Sequence, residues 1–234
     1  MPPKLVSRRI YPQNIASLDK VAGIEPGSVS LHAKGLDAAG YARLARFLGE
    51  HGNLVRSLKV QSGYGINGHG ELQHIDFAAS CPNLRTLDVK RVAFNDSVFA
   101  HPALVDLRLR ESKYVGGSPI VVDKEQPLRI LEFHDCLVKV DTLAIAADSE
   151  VRRFRYYLDE DYAEACPDNF DVYGKHLEEI TINACWTYTV TTNRASERHN
   201  RHRTFRAGQY GNVTHVYYKD NGDKVVQEYG AEAD

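Results

Sequence analysis

Three stretches of this chain have residue types and spacing that could do chemistry. The first is Gly63-Tyr-Gly65-Ile-Asn-Gly68, a G-x-G-x-x-G that follows a strand-like run, within a glycine-rich segment 63–70. Such glycines let a pyrophosphate approach the backbone at a helix N-terminus, and Asp88 lies 20 residues past the last glycine, where a dinucleotide fold places its ribose-binding acid. The second is the Arg-rich segment 194–206, with Arg194, Arg198, Arg201, Arg203 and Arg206 beside His199 and His202, which could contact nucleic-acid phosphates or an acidic partner. The third is the opposite cluster, Asp159, Glu160, Asp161, Glu164, Asp168 and Asp171, which lacks the spacing of a calcium loop and reads as an exposed acidic insertion. No nucleophile elbow, H-E-x-x-H, P-loop or kinase signature occurs, and the ten histidines are scattered. Neither an enzyme nor a bound cofactor is expected.

The elements that would carry these residues are set by a recurring strand signature. It reads V-R-S-L-K-V (55–60), L-R-T-L-D-V (84–89), L-V-D-L-R-L (104–109), L-R-I-L-E-F (128–133), V-R-R-F-R-Y (151–156) and L-E-E-I-T-I (177–182). A unit this short cannot bury its apolar side alone, so neighbours must stack into one core. Anchors one, four and six point inward, and positions three, five and seven point to solvent. The fifth positions read Lys59, Asp88, Arg108, Glu132, Arg155, Thr181, an alternation of sign that favours parallel, in-register neighbours. Asp88 therefore belongs to this row, and a loop on the rim is the simpler account of the glycines.

The pattern resembles the leucine-rich repeat family, whose unit is L-x-x-L-x-L-x-x-N/C. The match covers residues 55–185, with irregular repeat lengths. Cys136 and Cys185 fall on the ninth position, and S-C-P-N-L-R-T-L around Cys81 is similar to the junction of ribonuclease-inhibitor-like members. The resemblance implies an α/β leucine-rich-repeat-like right-handed solenoid with a parallel sheet. It also gives all four cysteines structural homes, which leaves no metal site to expect.

Around the repeats, residues 1–53 read as an N-terminal cap, 54–186 as the repeats and 187–234 as a C-terminal cap, one domain in all. Val29, Leu31 and Ala33 alternate as a strand, Asp37 caps a helix over 38–51, and Gly52 ends it. A second helical stretch is expected over 71–79, while 92–99 and 138–146 fit a helical turn or extended chain equally. Asn221-Gly222 between V-T-H-V-Y-Y and K-V-V-Q-E-Y predicts a closing hairpin. The net charge of −2 gives no global pull toward nucleic acid, and no segment approaches the roughly 18 apolar residues of a membrane span, so a cytoplasmic protein is expected.

The seventh row, Gln61, Lys90, Arg110, His134, Tyr157, Asn183, is basic and aromatic with no acid, and Arg153 joins it from the third. With Arg108 and Arg155 these unpaired cations would suit an acidic protein surface. The expected function is thus non-catalytic recognition of a partner protein through Lys90, Arg108, Arg110, His134, Arg153, Arg155 and Tyr157. A bacterial toxin-neutralising or regulatory adaptor is one setting for it, and nucleic-acid or nucleotide binding through 194–206 or 63–70 is the alternative. Replacing Arg110 and Arg155 by Glu should abolish capture at little cost in stability.

Overall fold

Leucine, valine and aromatic anchors two residues apart need a surface on each side, and the chain meets that need by laying strands side by side in parallel. A computed structural model describes residues 6–10, 25–63, 70–71, 76–159, 166–184, 187–193, 202–207, 211–218, 221 and 223–229, with backbone alone for 6–10 and 70–71. It divides into two compact units, Met1–Val115 and Gly116–Asp234. The fold is mixed α/β, with mostly parallel strands and few helices.

The first unit runs β1 (Val6–Ile10), β2 (Val29–Leu36), α1 (Ala38–His51), β3 (Val55–Ser62), β4 (Gly70–Glu71), α2 (Phe77–Ser80), β5 (Thr86–Lys90), β6 (Val92–Phe94), β7 (Asp106–Arg110) and β8 (Lys113–Tyr114). Strands β1, β2, β3, β5 and β7 pair in that order, all parallel, while β4, β6 and β8 form a small parallel sheet of their own. Parallel neighbours need a crossover, and α1 supplies the one between β2 and β3. The Asp37 carboxylate accepts the Gly40 N–H at 2.7 Å, and Tyr41, Leu44, Phe47 and Leu48 bury the inner stripe of α1.

The second unit runs β9 (Ile120–Val122), β10 (Ile130–His134), β11 (Thr142–Ile145), β12 (Arg153–Leu158), β13 (Asn169–Val172), β14 (Glu179–Ala184), β15 (Tyr188–Thr192), β16 (His202–Ala207), β17 (Val213–Tyr218) and β18 (Lys224–Tyr229). The chain alternates between two sheets. Strands β10, β12, β14 and β16 make one, and β9, β11, β13, β15 and β17 make the other, extended by β18 in antiparallel pairing. Phe154, Tyr156, Phe170 and Tyr188 bridge the space between the sheets with ring centroids 5.0–6.3 Å apart.

The anchors behave as their period predicts. Every residue at positions one, four and six of the six signatures is at most 1% exposed. Leu58, Leu87 and Leu107 stand side by side, as do Leu131, Phe154 and Ile180. The returning segments resolve what the sequence left open. Residues 92–99 combine a strand with a short 3-10 turn (Asp96–Val98), and 138–146 joins a tight turn at Val138–Val140 to a strand over Thr142–Ile145. Over 71–79 the structure has Glu71 in a strand and a helix from Phe77, so the long helix expected there is replaced by a single turn whose N-cap is Asp76.

The turns out of β5, β7 and β10 share one device. Arg91, Glu111 and Asp135, all at the eighth position, adopt positive φ of 58°, 44° and 52°. This left-handed corner costs roughly 1–2 kcal/mol for a residue with a Cβ. The residue that follows repays part of it. Ser112 Oγ donates to the Arg110 carbonyl at 2.7 Å and accepts from the Val92 N–H at 3.2 Å, and Cys136 Sγ donates to the His134 carbonyl at 3.4 Å. Cys166 is placed differently from Cys81: it precedes β13, in the other sheet.

Candidate binding face

The outward rows form as their register requires, with Lys59, Asp88 and Arg108 adjacent in the first unit and Glu132 beside Arg155 in the second. The cations are not unpaired, which corrects the sequence expectation. In the first unit Lys59 Nζ lies 2.8 Å from Asp88, and Arg110 reaches across to both oxygens of the same carboxylate, one at 2.6 Å. Lys90 and Arg91 both hold Glu111 at 2.6 Å. Arg108 turns back along its own strand and donates from Nε and Nη2 to Asp106 at 3.0 and 3.1 Å. Burial pushes the Glu111 carboxyl up, but hydrogen bonds from Lys90 and Arg91 and their charges hold it below the usual range.

In the second unit Glu179 is the hub. It accepts from Arg153 at 3.0 Å and from Arg155 at 2.6 Å, and Arg155 also lies 3.6 Å from the buried Glu132. Burial alone would raise Glu179; the two arginines lower it instead. The hydrogen bond to Glu179 holds the Arg155 guanidinium above its usual value. Next to this cluster His134 and Tyr157 stack, centroids 4.8 Å apart and planes 20° from parallel, on neighbouring strands in register. Because Glu132 depends on Arg155, reversing Arg155 is not the cheap change the sequence implied.

The rival sites fare less well. Asp88 is committed to Lys59 and Arg110 and so is not poised for a ribose. Gly63 packs against Gly35, whose carbonyl a Cβ would meet at 3.0 Å, and residues 64–69 lie outside the described residues. In the Arg-rich segment 194–201 is likewise outside them, while His202–Ala207 is a strand in register with β14 rather than a loop. Arg203 aligns with inward Ile180 and Arg206 with outward Asn183, so the two point to opposite sides and do not make one phosphate-binding patch.

His101 went unnoticed in the sequence. His101-Pro-Ala-Leu104 echoes Cys81-Pro-Asn-Leu84 one anchor spacing later, and both begin the turn that enters a strand. His101 is 1% exposed; its Nδ1 accepts the Ala103 N–H and its Nε2–H donates to the Cys81 carbonyl, both at 3.0 Å. Burial lowers its pKa against the opposing effect of that hydrogen bond. Burial likewise pushes the Cys81 thiol up to about 12. Cys81, Cys136 and Cys166 are not joined in disulfides. Among the described residues no group of three or more His, Cys, Asp or Glu side chains could hold a metal ion, and no helix is long and apolar enough to cross a membrane.

Comparison of the chain with family models, curated proteins and solved structures finds no match.

Proposed function

We propose that each unit is a run of leucine-rich-repeat-like coils of a right-handed solenoid, with β2 and α1 as the N-terminal cap and the β17–β18 hairpin as the C-terminal one. On this reading the exposed face of the parallel sheet recognises another protein without catalysis, as a toxin-neutralising or regulatory adaptor would. The observation that carries it is the His134–Tyr157 stack beside Arg153 and Arg155, whose guanidiniums are already held by Glu179. Tyr and Arg dominate interface hot spots, and side chains held in place before contact lose less entropy on binding. An acidic partner surface fits, since on β3, β5 and β7 Lys59, Lys90, Arg108 and Arg110 outnumber Asp88 and Asp106.

The experiment is capture of the partner by the wild-type chain, followed by affinity measurement on two variants, Tyr157→Ala with His134→Ala and, separately, Lys90→Ala. The double variant should lose at least about tenfold in affinity, or ~1.4 kcal/mol, with an unchanged melting temperature. Lys90→Ala should lose less and mainly slow association. Full affinity in the double variant excludes this face. Retention on heparin with steep salt dependence would favour nucleic acid instead.

A further inference from the structure

Strand β18 ends the second sheet of its unit, and among the described residues it pairs with β17 alone. An edge of this kind presents a row of backbone N–H and C=O groups, and folds usually blunt it with a proline, a bulge or a short strand. β18 has neither proline nor bulge. Its six residues, K-V-V-Q-E-Y, keep one continuous antiparallel register against Val213–Tyr218. All of them are exposed except the half-buried Val225. Among the described residues three of the five exposed large apolar side chains, Tyr218, Val226 and Tyr229, lie on β17 and β18, so apolar exposure gathers at this edge.

The two faces of the strand differ. Gln227 aligns with buried His215, which aligns with buried Val190, so the odd-numbered residues of β18 lie on the interior side of the sheet. Lys224, Val226 and Glu228 lie on the outer side, where Val226 stands beside Val216 and is 50% exposed. Cation, valine and anion thus occupy alternate positions along one face. Reversed on itself, such a row is its own complement.

We propose that β18 is the contact surface for a second copy of this chain, the two β18 strands pairing antiparallel about a two-fold axis at Val226. A two-fold axis that pairs a strand antiparallel with its own copy runs normal to the sheet. Opposed residues then share a face, and the axis must fall on a residue. Charge selects which one. An axis at Val226 sets Lys224 opposite Glu228 of the second copy and Glu228 opposite its Lys224. An axis at Lys224 or Glu228 sets like on like, and one at Val225 or Gln227 sets a charge against Val226. Opposite charges and β-branched residues directly across a pair favour it, and like charges oppose it. With the axis at Val226, Val225 faces Gln227, and Val216 and Val226 of both copies form one strip of four valines on the outer side. The pairing takes up the backbone edge of both copies at once, so association closes at two. This edge is distinct from the outward face carrying His134 and Tyr157.

The test is sedimentation equilibrium of the full chain, with Lys224→Glu and Glu228→Lys studied separately and then mixed. The wild type is expected to dimerise reversibly. Either variant alone meets like charges at both pairs, and its dimer should weaken by about tenfold or more. The equimolar mixture restores opposite charges at both pairs and should associate about as tightly as wild type. Both side chains are exposed, so each variant should keep the wild-type far-UV circular dichroism. A wild type that stays monomeric up to millimolar concentration, a dimer indifferent to both charge variants, or a mixture no tighter than its components overturns the proposal. Tyr157→Ala with His134→Ala should leave the dimer intact; its loss would move the contact to that face and overturn the proposal too.

Discussion

Glu132 is 5% exposed on the outward side of its sheet, a position a carboxylate tolerates only with a cation against it. Arg155 is that cation, and it is shared with Glu179. Arg155→Glu should therefore lower the unfolding free energy by about 2–3 kcal/mol, since it sets a like charge beside the buried Glu132 in place of its cation. Arg108→Glu, whose guanidinium is 40% exposed and bonded within its own strand, should cost under about 1 kcal/mol. Urea denaturation of the two variants reads the difference; equal effects would mean the Arg155 cluster is no more than a surface pair. The residues of this row were legible in the sequence, because period two sends positions three, five and seven to one side. Their partners were not. Side chains reach diagonally, so Asp88 takes Arg110 rather than Arg108, and Glu111 comes back from a left-handed corner to meet Lys90.

Among the elements, α1 was readable end to end, though Gly52 is needed for a different reason than a C-cap. Its φ of −65° suits any residue, and the helix passes into a 3-10 turn there. What excludes a side chain is α2: a Cβ on Gly52 would overlap the Ser80 carbonyl, backbone that cannot swing away. Gly52→Ala should then cost about 3 kcal/mol despite the better helix propensity of alanine, and a melt with no shift would refute the contact. β16 shows the converse. Its sequence, H-R-T-F-R-A, is polar and basic and carries no alternation of its own. It is a strand because β14 offers it a six-residue register, His202 through Ala207 against Glu179 through Ala184. Strand propensity is largely a property of neighbours, so no local reading would find it.

For the molecule as a whole, His101, Glu111 and Glu179 set the same sign of pH dependence below neutrality. His101 is held neutral, so below about 6.5 the unfolded chain binds a proton that the folded one resists, and stability falls with pH. Glu111 and Glu179 have lowered pKa values, so their contribution is present above the usual carboxylate range and is lost as pH falls through and below about 4.5. Urea midpoints should drop in two stages, first between pH 7 and 5, then below 4.5. His101→Gln should flatten the first stage and Glu179→Gln should weaken the second; a profile flat from pH 7 to 5 in the wild type would contradict the buried, neutral imidazole.

The sequence by itself determined the inner strands, their parallel register, the outward rows and the closing hairpin, because burial of regularly spaced anchors leaves one way to line them up. Only the tertiary structure decided which carboxylate neutralises which cation, that the returning segments are mostly strands, and that H-R-T-F-R-A becomes a strand against β14. Those outcomes depend on distances between residues twenty or more apart in the chain, and local periodicity carries no record of them.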